Sequence, residues 1–259
     1  MNVRSWLKNN KTLVDSLDAE LILAHVLGKD RVFLVSHDED ELTDAQIATA
    51  DELIRKRLAG YPVAYLAGHK EFYGRDFVVN ENVLIPRPET EGIIDLVKDL
   101  NPRKILDIGT GSGCIATTLK AEVPESKVCA YDISEAALEV AAQNAANLDV
   151  DLDALAISDL TSNVDLEGAD IVVANLPYVN PDWDFLSPEI KKEPDLALYA
   201  DDNGLALIKK LIDELAAKKY HGYLVLESDA SQQKDIIKYA GEHGFRHQKT
   251  SELITLFLS

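Results

Sequence analysis

Apolar residues in the first seventy positions recur with helical spacing. Leu17, Leu21, Ala24 and Leu27 share one face behind Ser16, which can cap the helix, and Gly28 suits its end. A second helix opens with a capping box, Thr43 and Gln46, carries Ile47, Ala50, Ile54 and Leu58 on one side, and stops at Gly60 ahead of Pro62. The pattern predicts a small helical bundle. From Phe72 to Pro88 the period shortens to two, with Phe77/Val79 and Val83/Ile85 alternating around Asn80-Glu81-Asn82, as in a β-hairpin linking two domains.

Beyond the hairpin, helices and strands alternate. A helix from about Glu89 to Asn101-Pro102 precedes strand KILDI, a glycine-rich turn and helix CIATTLKAEV. Strand KVCAYD, helix SEAALEVAAQNAANL, strands within LDALAIS and DIVVANL, helix GLALIKKLIDELAAKKY, strand GYLVLES, helix SQQKDIIKYAGEHG and a last strand in LITLFLS complete the chain. Strands spaced by helices imply βαβ units, hence an α/β fold with a doubly wound, mostly parallel sheet. Its ligand is expected at the carboxyl ends of the strands. The expected organisation is a helical domain over residues 1–71, a β-hairpin linker over 72–88 and an α/β domain over 89–259.

Composition narrows the function classes. With 46% hydrophobic and 27% charged residues in 259, the chain has the balance of an ordinary globular protein. No apolar run approaches the roughly 18 residues of a membrane span, and MNVRSWLKNNKT lacks the apolar core of a secretory signal, so a cytoplasmic protein without a membrane partner is expected. Acidic residues outnumber basic ones by 45 to 26, a net charge of -19, which disfavours a nucleic-acid phosphate backbone as a direct partner. KKLIDELAAKK reads as the solvated face of a helix. Cys114 and Cys129 form no CxxC pair and the six histidines no HExxH spacing, so neither metal nor disulfide is expected.

The glycine turn is the first candidate site. Asp107-Ile-Gly109-Thr110-Gly111-Ser112-Gly113 places three glycines at alternate positions after a strand, where backbone can approach a ligand and the next helix offers free N–H groups. A tight strand-to-helix turn alone would also use glycines, and GxGxG differs from the GxGxxG of dinucleotide folds. Asp132 ends the next strand about twenty residues on, where a carboxylate can accept from ribose hydroxyls. Asp159 and Leu160 follow the third strand, placed to accept from an adenine amino group and to cover its ring. Acids rather than bases around this turn suit a sulfonium nucleoside better than a pyrophosphate, so S-adenosylmethionine is favoured over NAD, with S-adenosylhomocysteine as product.

The stretch VANLPYVNPD, residues 172–181, carries the second. Asn175 ends the fourth strand at the same rim, followed by Leu176, Pro177 and Tyr178, one residue away from the methyltransferase signature Asn-Pro-Pro-Tyr. A planar amide or amino nitrogen needs acceptors for both N–H groups and alignment with the methyl donor. The Asn175 side-chain oxygen and the Leu176 main-chain carbonyl can supply those acceptors. Pro177 keeps Leu176 extended and Tyr178 can cover a flat substrate group.

The chain also resembles the release factor glutamine methyltransferase family, or HemK family, along nearly its full length. The resemblance runs through SLDAELILAHVLG, ELTDAQ with RKRLAGYPVAYLAG, EFYGRDFVVNENVLIPRPETE, ILDIGTGSGCIA, YDIS, SDL, NLPYV, KKEPDLALYADDNGL and GYLVLE. IPRPETE is the most family-specific of these. The resemblance implies a Rossmann-like class I methyltransferase that transfers a methyl group to the side-chain nitrogen of the glutamine in the Gly-Gly-Gln motif of bacterial peptide chain release factors. It places cofactor binding on Gly109 to Gly113, Asp132, Leu160 and Asn175, and the substrate motif on Asn175 to Tyr178. The N-terminal helices would grip the release factor, and Arg87 and Glu89 would border the active site.

Three features depart from the family pattern. Leu176 replaces a proline, ESDASQQ replaces a glycine-containing segment after GYLVLE, and SELITLFLS lacks the usual basic finish. Two other readings compete with the release factor as substrate. One is the same chemistry on a ribosomal-protein glutamine or on adenine in DNA; the other is a non-catalytic binder that keeps the fold.

Overall fold

The computed structural model describes residues 1–183 and 186–259. The chain divides into two compact units, Met1–His69 with Leu186–Lys192, and Lys70–Phe185 with Glu193–Ser259.

The first unit is built from helices α1 (Val3–Asn10), α2 (Ser16–Leu27), α3 (Arg31–Ser36), α4 (Asp44–Leu58) and α5 (Val63–Ala67). Trp6, Ile22, Leu23, Leu34, Ala50 and Ile54 form its core. Asp15 rather than Ser16 caps α2, accepting from the Leu17 N–H at 2.8 Å, so the cap lies one residue earlier than the sequence suggests. Gly28 closes that helix in the left-handed region at φ 61°. Thr43 and Gln46 form the reciprocal capping box of α4. Helices α1, α3 and α5, of 8, 6 and 5 residues, are too short for apolar periodicity to announce them. Arg57 reaches both Asp18 and Glu189, tying Leu186–Lys192 to the helices of this unit.

The hairpin lies earlier than its apolar pattern suggests. Strands β1 (His69–Phe72) and β2 (Arg75–Val78) pair around Tyr73 and Gly74, at φ 51° and 70°. Two consecutive positive φ values give the tight turn whose twist suits a hairpin. The expected second strand at Val83 and Ile85 is absent. Asn80 does turn the chain, accepting from the Asn82 N–H at 2.9 Å, and Val83 and Ile85 are buried, but the Ile85 N–H donates to Glu193 at 3.0 Å. Alternation there records burial of a loop, not a ladder.

A seven-stranded sheet follows: β3 (Lys104–Ile108), β4 (Lys127–Asp132), β5 (Ala154–Ile157), β6 (Ile171–Ala174), β7 (Tyr223–Glu227), β8 (Arg246–Ser251) and β9 (Ile254–Leu258). The order is β5-β4-β3-β6-β7-β9-β8, with the first five parallel and β9 antiparallel to both neighbours. Helices α6 (Glu91–Leu100), α7 (Cys114–Glu122), α8 (Glu135–Asn147), α9 (Asp195–Leu198), α10 (Ala206–Ala217) and α11 (Gln233–Glu242) complete the unit. Leu106, Val172 and Leu224 enter one apolar cluster while their strand neighbours Ile105, Val173 and Val225 enter another, as a sheet covered on both faces requires. Strand β8, sequence RHQKTS, is mostly exposed at the sheet edge, so no apolar alternation marks it. The winding reverses between β3 and β6, which opens a crevice at their carboxyl ends. Among the described residues no helix is long and apolar enough to cross a membrane.

Candidate active site

A cavity of about 270 Å³ occupies that crevice. Gly109 to Ser112, Asp132, Asp159, Leu160, Asn175, Leu176 and Pro177 all line it, so the structure gathers residues from four strand ends. Gly113 lies just behind, at φ 77°, where a Cβ would come within 2.9 Å of the Ala141 Cβ in α8. Gly109, at φ 78°, is equally confined, since a Cβ there would stand 2.9 Å from the Leu176 Cδ2. Gly111 adopts φ 56° with open space around it. The turn is fastened by backbone bonds from the Gly109 and Thr110 N–H groups to the Tyr131 carbonyl, at 2.8 and 2.9 Å.

Two buried polar side chains brace the turn. Asp107 is fully buried and accepts from the Thr110 hydroxyl at 2.6 Å; burial pushes its carboxyl up to about 7. Asn144 in α8 donates to the Ser112 carbonyl at 2.8 Å and bonds Val78 in β2 through both N–H and carbonyl. Asn144 sits among Ala137, Ala141 and Ala145 on a small-residue helix face, and a polar residue on that face is the signal that would have revealed it. Cys114 also lines the cavity, but burial raises its thiol to about 12, leaving no thiolate nucleophile.

The rim carboxylates differ in engagement. Asp132 accepts from the Gly111 N–H and from the Ser134 N–H, one on each oxygen, both at 2.9 Å. A carboxylate offers about four lone-pair directions, so each oxygen retains capacity for a ligand hydroxyl. Asp159 is exposed and pairs with Lys210 at 2.7 Å. Leu160 is buried at φ 45°, an unfavourable conformation for its residue type, held while its carbonyl accepts from the Ser158 hydroxyl at 2.8 Å.

Leu176 does two things at once. Its side chain is buried in the core against Gly109, whereas among the described residues no N–H donates to its carbonyl. The Asn175 Nδ2 donates to the Thr90 hydroxyl at 3.2 Å. Tyr178 lies outside the cavity lining. Its hydroxyl donates to Glu227 at 3.3 Å and its carbonyl accepts from the Gln232 side chain at 2.8 Å.

Arg87 lines the cavity while paired with Glu193, a carboxylate only 2% exposed that also takes the Ile85 N–H. Glu89 is exposed and is not part of the lining. Three residues beyond the sequence candidates complete the site: Glu193, Thr90, which lines the cavity, and Glu227, the last residue of β7 and 1% exposed. Burial raises the Glu227 carboxyl, while Thr90, Tyr178 and Asn175 bring hydrogen-bonding groups that oppose the rise. A glutamate closing the apolar run GYLVLE at a parallel strand's carboxyl end was the available sign. Among the described residues no cluster of three or more His, Cys, Asp or Glu is arranged to hold a metal ion.

Comparison with known proteins matches residues 2–68 to the PrmC N-terminal domain and 90–185 to the methyltransferase small domain. The chain is 44% identical over 206 residues to a release factor glutamine methyltransferase of Koribacter versatilis, covering 77% of this chain and 73% of that one. It is 38% identical over 253 residues to a release factor glutamine methyltransferase of Neisseria gonorrhoeae, covering 95% and 91% respectively. A solved methyltransferase from Pyrococcus furiosus shares the fold at a TM-score of 0.51 and 17% identity, over 82% of this chain and 98% of that one.

Proposed function

The chain belongs to the release factor glutamine methyltransferase family, and on that premise we propose that it methylates the side-chain nitrogen of the Gly-Gly-Gln glutamine in peptide chain release factors, with S-adenosylmethionine as donor. The residues present suit that cofactor. The space at Gly111 admits close approach, Asp132 keeps acceptor capacity for ribose hydroxyls, and Asp159 with Leu160 offers an acceptor beside an apolar wall for adenine. Asp132, which has no cationic partner among the described residues, complements a positively charged sulfonium, whereas a pyrophosphate would meet repulsion there. When bound, the cofactor supplies an electrophilic methyl group.

The protein's own contribution is alignment. The target amide nitrogen has a delocalised lone pair and two N–H bonds. The Asn175 Oδ1 and the Leu176 carbonyl accept those two, hold the nitrogen in line, and gain strength as positive charge develops on it. The observation carrying this reading is that Asn175 and Leu176 both line the cavity and that neither the Asn175 Oδ1 nor the Leu176 carbonyl has a donor among the described residues. Pro177 keeps Leu176 extended, and Tyr178 stiffens the motif through Glu227. Arg87 and Glu89 border the entry of the glutamine.

In this reading residues 1–71 are the substrate-binding helical part, 72–88 the linker and 89–259 the catalytic domain. The enzyme works in the cytoplasm, and its net charge of -19 favours a protein over a nucleic-acid substrate. The test is incubation with labelled cofactor and release factor, its Gln→Ala variant, or ribosomal protein. Label is expected in the first alone and lost with Asn175→Ala; label confined to ribosomal protein, or full turnover by Asn175→Ala, refutes the reading.

A further inference from the structure

Three polar side chains from separate elements meet at the carboxyl end of β7. Glu227 ends that strand, Thr90 closes the short 3-10 turn before α6 and is 2% exposed, and Asn175 follows β6. The Asn175 Nδ2 donates to the Thr90 Oγ1 at 3.2 Å, while the Glu227 Oε1 accepts from the Tyr178 hydroxyl at 3.3 Å and its buried Oε2 has no hydrogen-bond partner among the described residues. A threonine hydroxyl has one proton. Turned toward the partnerless Glu227 oxygen, it leaves a Thr90 oxygen that only accepts, as the bond from the Asn175 Nδ2 requires, and a carboxylate likewise only accepts. Both neighbours therefore attract the NH2 end of the amide and repel its oxygen. The oxygen is left for the cavity that Asn175 lines, and among the described residues no donor reaches it.

We propose that Thr90 and Glu227 are positioning residues that lock the Asn175 carboxamide with its oxygen toward the cavity, selecting a target nitrogen that bears two N–H bonds. The functional half of this inference rests on the methyl-transfer reading above; the orientation itself does not. An amide turned by half a rotation about Cβ–Cγ would set its own N–H groups against those of the target. Without the lock both orientations are available, and the productive one is diluted. The same logic gives IPRPETE a task at this site, because Thr90 is its threonine.

Two readouts on the full chain separate the halves. Hydrogen exchange of the Asn175 side-chain NH2 is followed by NMR, the signal being assigned by its loss in Asn175→Ala. Thr90→Val keeps the shape of threonine and removes the hydroxyl, and Thr90→Ser keeps the hydroxyl. The valine variant is expected to exchange at least about tenfold faster, with serine restoring protection. In the methylation assay kcat should fall at least about twofold in Thr90→Val, the dilution expected of two equally available orientations, with the cofactor dissociation constant within about twofold and serine again restoring turnover. Should the valine variant unfold at assay temperature, Thr90→Ala and Glu227→Gln are read by the same exchange measurement. Unchanged exchange in every hydroxyl-free variant, or a serine variant as impaired as valine, overturns the lock. A protected Asn175 in a wild-type protein that never methylates release factor leaves the lock standing and removes the proposed function instead.

Discussion

Asn144→Ala tests whether the glycine turn is held in place from behind. The side chain is fully buried and makes three bonds: the Val78 N–H donates to it at 2.7 Å, and its own NH2 reaches the Val78 carbonyl at 3.0 Å and the Ser112 carbonyl at 2.8 Å. Each lost bond costs about 1–1.5 kcal/mol net, and alanine recovers about 0.6 kcal/mol as the better helix former, which leaves a loss of about 3 kcal/mol. For a chain of this size that corresponds to a melting temperature lower by about 6–12 °C. Urea denaturation of the full chain measures it, and calorimetry with S-adenosylmethionine should show weaker binding, because the freed carbonyl of Ser112 belongs to the turn. Asn144→Asp sharpens the test. Aspartate keeps the acceptor for Val78 but sets a second oxygen against two carbonyls, so it should be no more stable than alanine despite preserving volume. A loss under about 1 kcal/mol for alanine, or an aspartate variant clearly more stable than alanine, refutes the bracing role.

Gly109→Ala should cost about 2 kcal/mol, from the left-handed φ of 78° and from contact with the Leu176 side chain, and should weaken cofactor binding. Adding Leu176→Ala should return part of the difference between single and double variants, and strict additivity in chemical denaturation would argue against the contact. Asp107→Asn should change the pH dependence of stability. A carboxyl raised from 3.8 to about 7 in the native state binds its proton more tightly there, so its contribution is fully present below about pH 4 and is lost as pH rises toward 7. The asparagine variant, still able to accept from Thr110, should gain on wild type between about pH 4 and 7 in urea titrations; parallel curves would contradict the buried carboxyl's role.

The parallel part of the sheet was legible because its strands lie between two packed faces. Runs such as KILDI and DIVVANL are rich in apolar residues and alternate with segments of helical periodicity, so type and order followed from pattern. The polar edge strand β8 offered no such contrast. Val83 and Ile85 misled for the opposite reason, since a buried loop satisfied by a glutamate more than a hundred residues away produces the same alternation as a strand. At the site, residues exposed to a ligand stood out as motifs. Those that hold the motifs in place left fainter marks, a polar residue on a small-residue helix face for Asn144 and a glutamate closing GYLVLE for Glu227, whereas Glu193 is recognisable only once distant elements meet.

Leu176 shows how a motif can change its residue and keep its geometry. What the proposed chemistry asks of this position is a carbonyl oxygen at a fixed place, and a proline ring would secure it by restricting the backbone. Here the restriction has two other sources. Pro177 limits the conformation of the residue before it, and the leucine side chain is anchored in the core against Gly109, so moving the carbonyl means unpacking a buried aliphatic group. Full burial of a leucine side chain is worth about 1.5–3 kcal/mol, comparable to the penalty of about 1–3 kcal/mol for an unfavourable backbone torsion. The substitution therefore shifts the source of rigidity from ring to core, and it ties the acceptor at Leu176 to the glycine turn, since Gly109 is the surface on which that side chain rests.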